Sequence, residues 1–110
     1  MNEIKIKTIK VQQLKKAMDE NPALCLIDVR ENEEWQAGHI LGAKHIPKDD
    51  ILAKTPLLES DKTTAIYLHC RAGVRSLYAA ERLIELGYQN LYSVEGGIIA
   101  WIEAGYPIQR

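Results

Sequence analysis

Only two cysteines, Cys25 and Cys70, stand in the whole chain. They form no metal-ligand spacing and no disulfide framework, which sets aside zinc modules and stapled secreted mini-proteins. A single Cys25–Cys70 bridge is not expected in a reducing cytosol. Long apolar runs are missing too. No stretch approaches the roughly 18 residues a membrane span needs, and Met1-Asn2-Glu3-Ile4-Lys5-Ile6-Lys7 lacks the apolar heart of a secretory signal. The expectation is a cytoplasmic protein that engages no membrane. Charge of one sign is scarce as well. A formal net charge of −1 gives no whole-chain attraction to nucleic acid, so any positive field has to be local. There is no internal repeat, low-complexity segment or linker.

What is present is an ordinary globular balance, with 46% hydrophobic and 26% charged residues in 110. That length suggests a single domain over 1–110, with its folded core over roughly 8–108, large enough to bury a core without staples. Residues 4–9 alternate apolar and polar, as a short edge strand does. Val11, Leu14 and Met18 recur at helical spacing until Asn21-Pro22. Leu24 to Ile27, Ala65 to Leu68 and Leu91 to Val94 are brief continuous apolar runs, the mark of strands buried on both faces. Ala43 to Ile46 reads as another short strand, stopped by Pro47. Glu31 to Ala37 reads as a short helix closed by Gly38. A longer helix runs from about Arg75 to Leu86, with Leu77, Ala80 and Ile84 on its inner face and Gly87 as its stop. A last helix covers about Ile98 to Ala104. Residues 48–62 read as a polar connection broken by Pro56, with Ile51, Leu52, Leu57 and Leu58 available for packing.

Strands alternating with helices predict an α/β fold with a parallel sheet covered on both faces. Ligands in such folds sit beyond the carboxyl ends of the strands. Asp28-Val29-Arg30, Cys70 to Arg75 and Glu95-Gly96-Gly97 follow core strands and should converge there.

The segment His69-Cys70-Arg71-Ala72-Gly73-Val74-Arg75-Ser76 carries the chemistry. It places a thiol between a strand and a helix start, where unpaired N–H groups and the positive end of the helix dipole favour an anion. Gly73 permits a positive φ or a close backbone approach, and Arg71 and Arg75 add charge. This setting should stabilise a Cys70 thiolate and bind a small oxyanion beside it. Arg75 is expected to face the anion and Arg71 to stand at the rim. Cys25, inside Leu24-Cys25-Leu26-Ile27 with no cation or base nearby, reads as core.

Here the chain resembles the rhodanese family of sulfurtransferases. The resemblance rests on Asp28-Val29-Arg30, then Glu34-Trp35, Gly38-His39-Ile40, Pro47, the loop itself, and Val94-Glu95-Gly96-Gly97 with Trp101, in that order along nearly the whole chain. It implies a rhodanese-like parallel sheet of about five strands flanked by helices, and Cys70 as a persulfide-forming nucleophile with no cofactor or metal. Arginine after the cysteine resembles thiosulfate sulfurtransferases. Those using mercaptopyruvate usually carry glycine there. The implied reaction is ping-pong, from thiosulfate to Cys70 to a thiol, cyanide or another protein.

Two other readings stand beside it. A protein-to-protein persulfide relay would make thiosulfate incidental. A dual-specificity phosphatase or arsenate reductase of related fold would resemble Cys-x5-Arg, but Arg75 gives Cys-x4-Arg and Ser76 occupies the position that pattern needs. Asp28, Arg30 and Ser76 are placed as supporting residues of the pocket. Arg30 is expected to pair with Glu34 four residues on. His69 is expected to face away from the thiol, since adjacent strand residues point to opposite faces. His39 is expected to make a structural hydrogen bond, and Trp35 and Trp101 to serve as core aromatics.

Overall fold

A computed structural model describes residues 6–110. Its elements are β1 (Lys7–Ile9), α1 (Val11–Glu20), β2 (Cys25–Asp28), α2 (Asn32–Ala37), β3 (His39–Ile40), β4 (Lys44–His45), a 3-10 turn (Lys48–Asp50), α3 (Ile51–Leu58), β5 (Ile66–His69), α4 (Val74–Glu85), β6 (Leu91–Val94), α5 (Gly97–Glu103) and β7 (Ile108–Gln109). Five strands form one sheet in the order β1-β6-β5-β2-β4, parallel at every pairing. Ile4, expected in the first strand, lies outside the described residues.

The short apolar runs become strands because both sheet faces are covered, so alternate side chains bury into different layers. Ile27, Ile66, Leu68 and Leu91 join Ile51 of α3 and Ala79, Ala80 and Leu83 of α4 on one side. Leu26 and Val94 join Val11 and Leu14 of α1 and Ile98 and Trp101 of α5 on the other. Side chains of this kind each contribute about 1.5–3 kcal/mol when fully buried.

Three expectations need correction. Residues 48–62 are not merely a broken connection, because α3 forms across Pro56. The ring forfeits one helical hydrogen bond, but Ile51 and Thr55 are sealed against the core and hold the helix. Leu57 takes no part in packing and is 86% exposed. The inner face of α4 is Ser76, Ala79, Ala80 and Leu83, while Leu77 is exposed. The small residues let α4 lie close to the sheet and turn Ser76 inward. Finally, β3 and β7 form an antiparallel pair that no local pattern announced.

Candidate functional site

The carboxyl ends of β2, β5 and β6 bring three segments together, as expected. The Val29 N–H donates to the His69 carbonyl at 3.0 Å, the Ile98 N–H to the Cys70 carbonyl at 2.9 Å, and the Ile99 N–H to the Arg71 carbonyl at 3.2 Å. Gly97 makes this closeness possible. A Cβ there would overlap the carbonyl oxygens of Cys70 and Arg71, and its φ of 55° already disfavours other residues.

Cys70 follows the last residue of β5 and its side chain is 1% exposed. Gly73, at φ 114°, caps α4 and directs its own N–H to the Cys70 Sγ at 3.1 Å. The Ser76 hydroxyl lies 3.7 Å from the sulfur, donates to the Gly73 carbonyl at 3.1 Å in one orientation, and shares a 2.7 Å hydrogen bond with Ser93. Burial works against a charged sulfur here. The backbone N–H and hydroxyl of Ser76, with the N–H groups of Gly73 and Ala72, outweigh it and hold the Cys70 thiol below the ordinary range. Peptide dipoles and one hydroxyl, more than arginine charge, therefore hold the Cys70 thiol down.

Arg30 and Arg75 are placed differently from expectation. Arg30 does not meet Glu34. It precedes the helix that the four-residue spacing presumed, since Glu31 is the N-cap of α2. It pairs instead with Asp28, Nε to Oδ1 at 3.0 Å and Nη2 to Oδ2 at 2.8 Å, and donates to the Gly38 carbonyl at 2.7 Å. Both residues are buried. Their link to the loop runs through His69, whose Nε2 stands 3.6 Å from the Asp28 carboxylate and whose Nδ1 is 3.4 Å from the Cys70 carbonyl oxygen. Burial pushes the His69 imidazole below the ordinary histidine range despite Asp28. Its ring lies beside that carboxylate and makes no hydrogen bond to the thiol.

Arg75 is likewise engaged. Its guanidinium grips Glu34 with both prongs, at 2.6 and 2.9 Å, rather than facing the loop. Arg71 is exposed at the rim, as are Ala72 and Val74. Glu95 is exposed. His39 Nδ1–H donates to the Trp35 carbonyl at 2.9 Å, and its ring stacks on the Trp35 ring. Trp101 is core, with its indole N–H on the Pro107 carbonyl at 2.8 Å.

Ser93 escaped the sequence reading. Its signal was a serine inside an otherwise apolar buried strand, which needs a partner, and that partner is Ser76. Among the described residues, no three His, Cys, Asp or Glu side chains cluster as a metal site would require. No helix among them is long and apolar enough to cross a membrane. A cleft of about 410 Å³ between α1, the β3–β4 connection and Trp101 contains no residue of the Cys70 loop.

Comparison with known proteins agrees with this fold. The model of the Rhodanese-like domain matches residues 10–104. YtwF of Bacillus subtilis, whose name includes the word sulfurtransferase, is 40% identical over 98 residues, covering 89% of this chain and 92% of that protein. MoeZ of Mycobacterium tuberculosis, whose name joins adenylyltransferase and sulfurtransferase, is 38% identical over 91% of this chain. A tRNA uridine(34) hydroxylase of Erwinia tasmaniensis is 34% identical over 84% of it. The chain spans 26% and 29% of the length of those last two relatives. The crystal structure of a rhodanese-related protein from Thermoplasma volcanium superposes with a TM-score of 0.79 at 35% identity, covering 94% of this chain and 97% of that one.

Proposed function

The chain belongs to the rhodanese-like sulfurtransferase family, and from that premise we propose that Cys70 takes the outer sulfur of thiosulfate as a persulfide and passes it to a thiophilic acceptor. The observation that carries this reading is the Gly73 N–H at 3.1 Å from the Cys70 Sγ, with Ser76 beside it. That arrangement favours the thiolate over the thiol and offers donors to a terminal persulfide sulfur.

In the first step the Cys70 thiolate forms a bond to the outer sulfur, the sulfur–sulfur bond of thiosulfate breaks, and sulfite leaves with the electron pair. In the second, cyanide, a small thiol or a cysteine of another protein attacks the terminal sulfur, and the Cys70 thiolate returns. Arg71, Ala72, Gly73, Val74 and Arg75 form the wall around the donor, and Asp28, Arg30 and Ser76 support it. The reaction needs no metal or organic cofactor. We assign it to the cytoplasm, where two unpaired thiols remain reduced.

One observation favours the relay variant of this function. With Arg75 held by Glu34, Arg71 is left as the loop cation without an ion pair among the described residues, a modest attraction for a dianion. The same pairing weighs against phosphoryl transfer, which needs a loop arginine on the phosphoryl oxygens.

Intact mass after incubation with thiosulfate tests the proposal. A gain of one sulfur atom on the wild type, lost in Cys70→Ser and kept in Cys25→Ser, is expected. No gain overturns the thiosulfate reading, and a gain only from a persulfidated protein donor selects the relay.

A further inference from the structure

Three arginines approach the Cys70 loop, and their engagements differ. Arg30 is buried and bound to Asp28 and to the Gly38 carbonyl. Arg71 is exposed, with no ion pair among the described residues. Arg75 is the second residue of α4, directly beyond Gly73, so its Cα is fixed at the edge of the cradle. Its guanidinium is nevertheless turned to Glu34, 41 residues earlier, in a two-pronged pair.

Glu34 is built to hold it. The carboxylate also accepts the Glu31 N–H at 3.0 Å, which closes the first turn of α2 and fixes the glutamate's position. Side chains of the pair are 28% and 29% exposed, so the attraction is neither lost to bulk water nor burdened by full desolvation. Planar two-pronged pairing gives it direction as well as strength. The Arg75 hydrogen bonds, with a weaker contribution from the Glu31 N–H, push the Glu34 carboxyl down to about 2 against the opposing effect of burial, so the pair persists across the neutral range.

We propose that Glu34 is a specificity-determining positioning residue: by holding Arg75 it withholds the second loop cation from the donor, and so weakens the grip on doubly charged sulfur donors relative to singly charged ones. This inference rests on the reading of Cys70 as the sulfur carrier. Its logic is charge counting. The pair is neutral, and removing the carboxylate leaves one positive charge beside the cradle. A dianion feels that charge twice as strongly as a monoanion. At a separation of about 10 Å in water, the change in affinity is about fourfold for the former and about twofold for the latter. Salt diminishes both.

The test is steady-state sulfur transfer to cyanide from thiosulfate and from benzenethiosulfonate, which carry two and one negative charges. In each case Cys70 bonds the outer sulfur, and sulfite or benzenesulfinate leaves with the electron pair. Cyanide then departs as thiocyanate and the thiolate is restored. Glu34→Gln should lower the KM for thiosulfate about fourfold and for benzenethiosulfonate about twofold at low salt, with kcat little changed. The gain should fade at high salt and vanish in Glu34→Gln with Arg75→Ala. Equal effects on both donors, no effect, or a gain that survives the double substitution overturns the proposal.

Should Glu34→Gln fail to fold, Arg75→Ala reads the same pair from its other side. An uncovered carboxylate then raises the KM more for thiosulfate than for benzenethiosulfonate, and equal rises count against the idea. Wild-type Cys70 that takes sulfur from neither donor overturns this inference together with the thiosulfate reading. Cys70 that takes sulfur from both, with a KM blind to charge in these variants, overturns this one alone.

Discussion

The two cysteines pack against the same apolar layer, yet they stand at opposite ends of neighbouring parallel strands. Cys25 opens β2 and is partly buried, whereas Cys70 lies just past β5 and is fully buried. Burial and the Glu59 carboxylate push the Cys25 thiol up to about 11, against a smaller opposing pull from Lys44. At Cys70 burial also opposes ionisation, but the Ser76 backbone and hydroxyl and the Gly73 and Ala72 N–H groups reverse the result. Apolar surroundings therefore do not separate the two thiols. What separates them is the end of the sheet at which each sits, because the N–H groups of a helix start gather at the carboxyl ends of parallel strands.

Substitution at the thiols themselves tests this contrast most severely. Cys70→Ser should abolish sulfur uptake by intact mass, and Cys25→Ser should leave it in place. Sulfur found on Cys25 in the Cys70→Ser protein would break the comparison outright.

Gly97→Ala should follow in size. It meets both a positive φ and the carbonyl oxygens of the Cys70 loop. Thermal or urea unfolding should show a loss of about 2–4 kcal/mol, with sulfur transfer impaired by at least as much as the fold.

Ser76→Ala removes one hydroxyl from the sulfur's surroundings without touching the backbone N–H groups. Alkylation of Cys70 by iodoacetamide at neutral pH should slow about threefold to tenfold, and its pH profile should move upward. An unchanged profile would assign the whole effect to the backbone.

The smallest effect is expected in acid. A group whose folded pKa is depressed contributes stability above its unfolded value, and that contribution disappears as pH falls through the folded one. For Glu34 the window runs from the ordinary 4.5 down to about 2. Glu34→Gln should cost about 1 kcal/mol at neutral pH and nothing below this window, by denaturant titration at each pH. A deficit that persists there would assign Glu34 a purely structural role.

Much of this architecture was legible because it is local. Four-residue apolar runs between turn residues read as strands covered on both faces, and a thiol followed by glycine and a helical period reads as a strand-to-helix loop. The site's partners were legible where they lie close in sequence and obscure where they do not. Arg30 was assigned to Glu34 by a helical rule that does not extend beyond the N-cap at Glu31. Arg75 and Glu34 stand on two helices, α4 and α2, that are separated in the chain by three strands, a 3-10 turn and α3. On α4, Leu77 and Ser76 compete for the inner position. Apolarity favoured the leucine, but the short distance to the sheet and the serine's partners, Gly73 and Ser93, decided for Ser76.

The peptide units around Cys70 are stitched to both neighbours, through His69 to Val29 on one side and through Cys70 and Arg71 to Ile98 and Ile99 on the other. In the proposed transfer, a sulfur parked on this cysteine therefore has no swinging arm. Its range is one side chain, and all the travel falls to the recipient. A small molecule meets that demand by diffusing in. A folded recipient meets it only with a nucleophile at the end of a tail or protruding loop, because two convex surfaces would halt before the sulfurs touched.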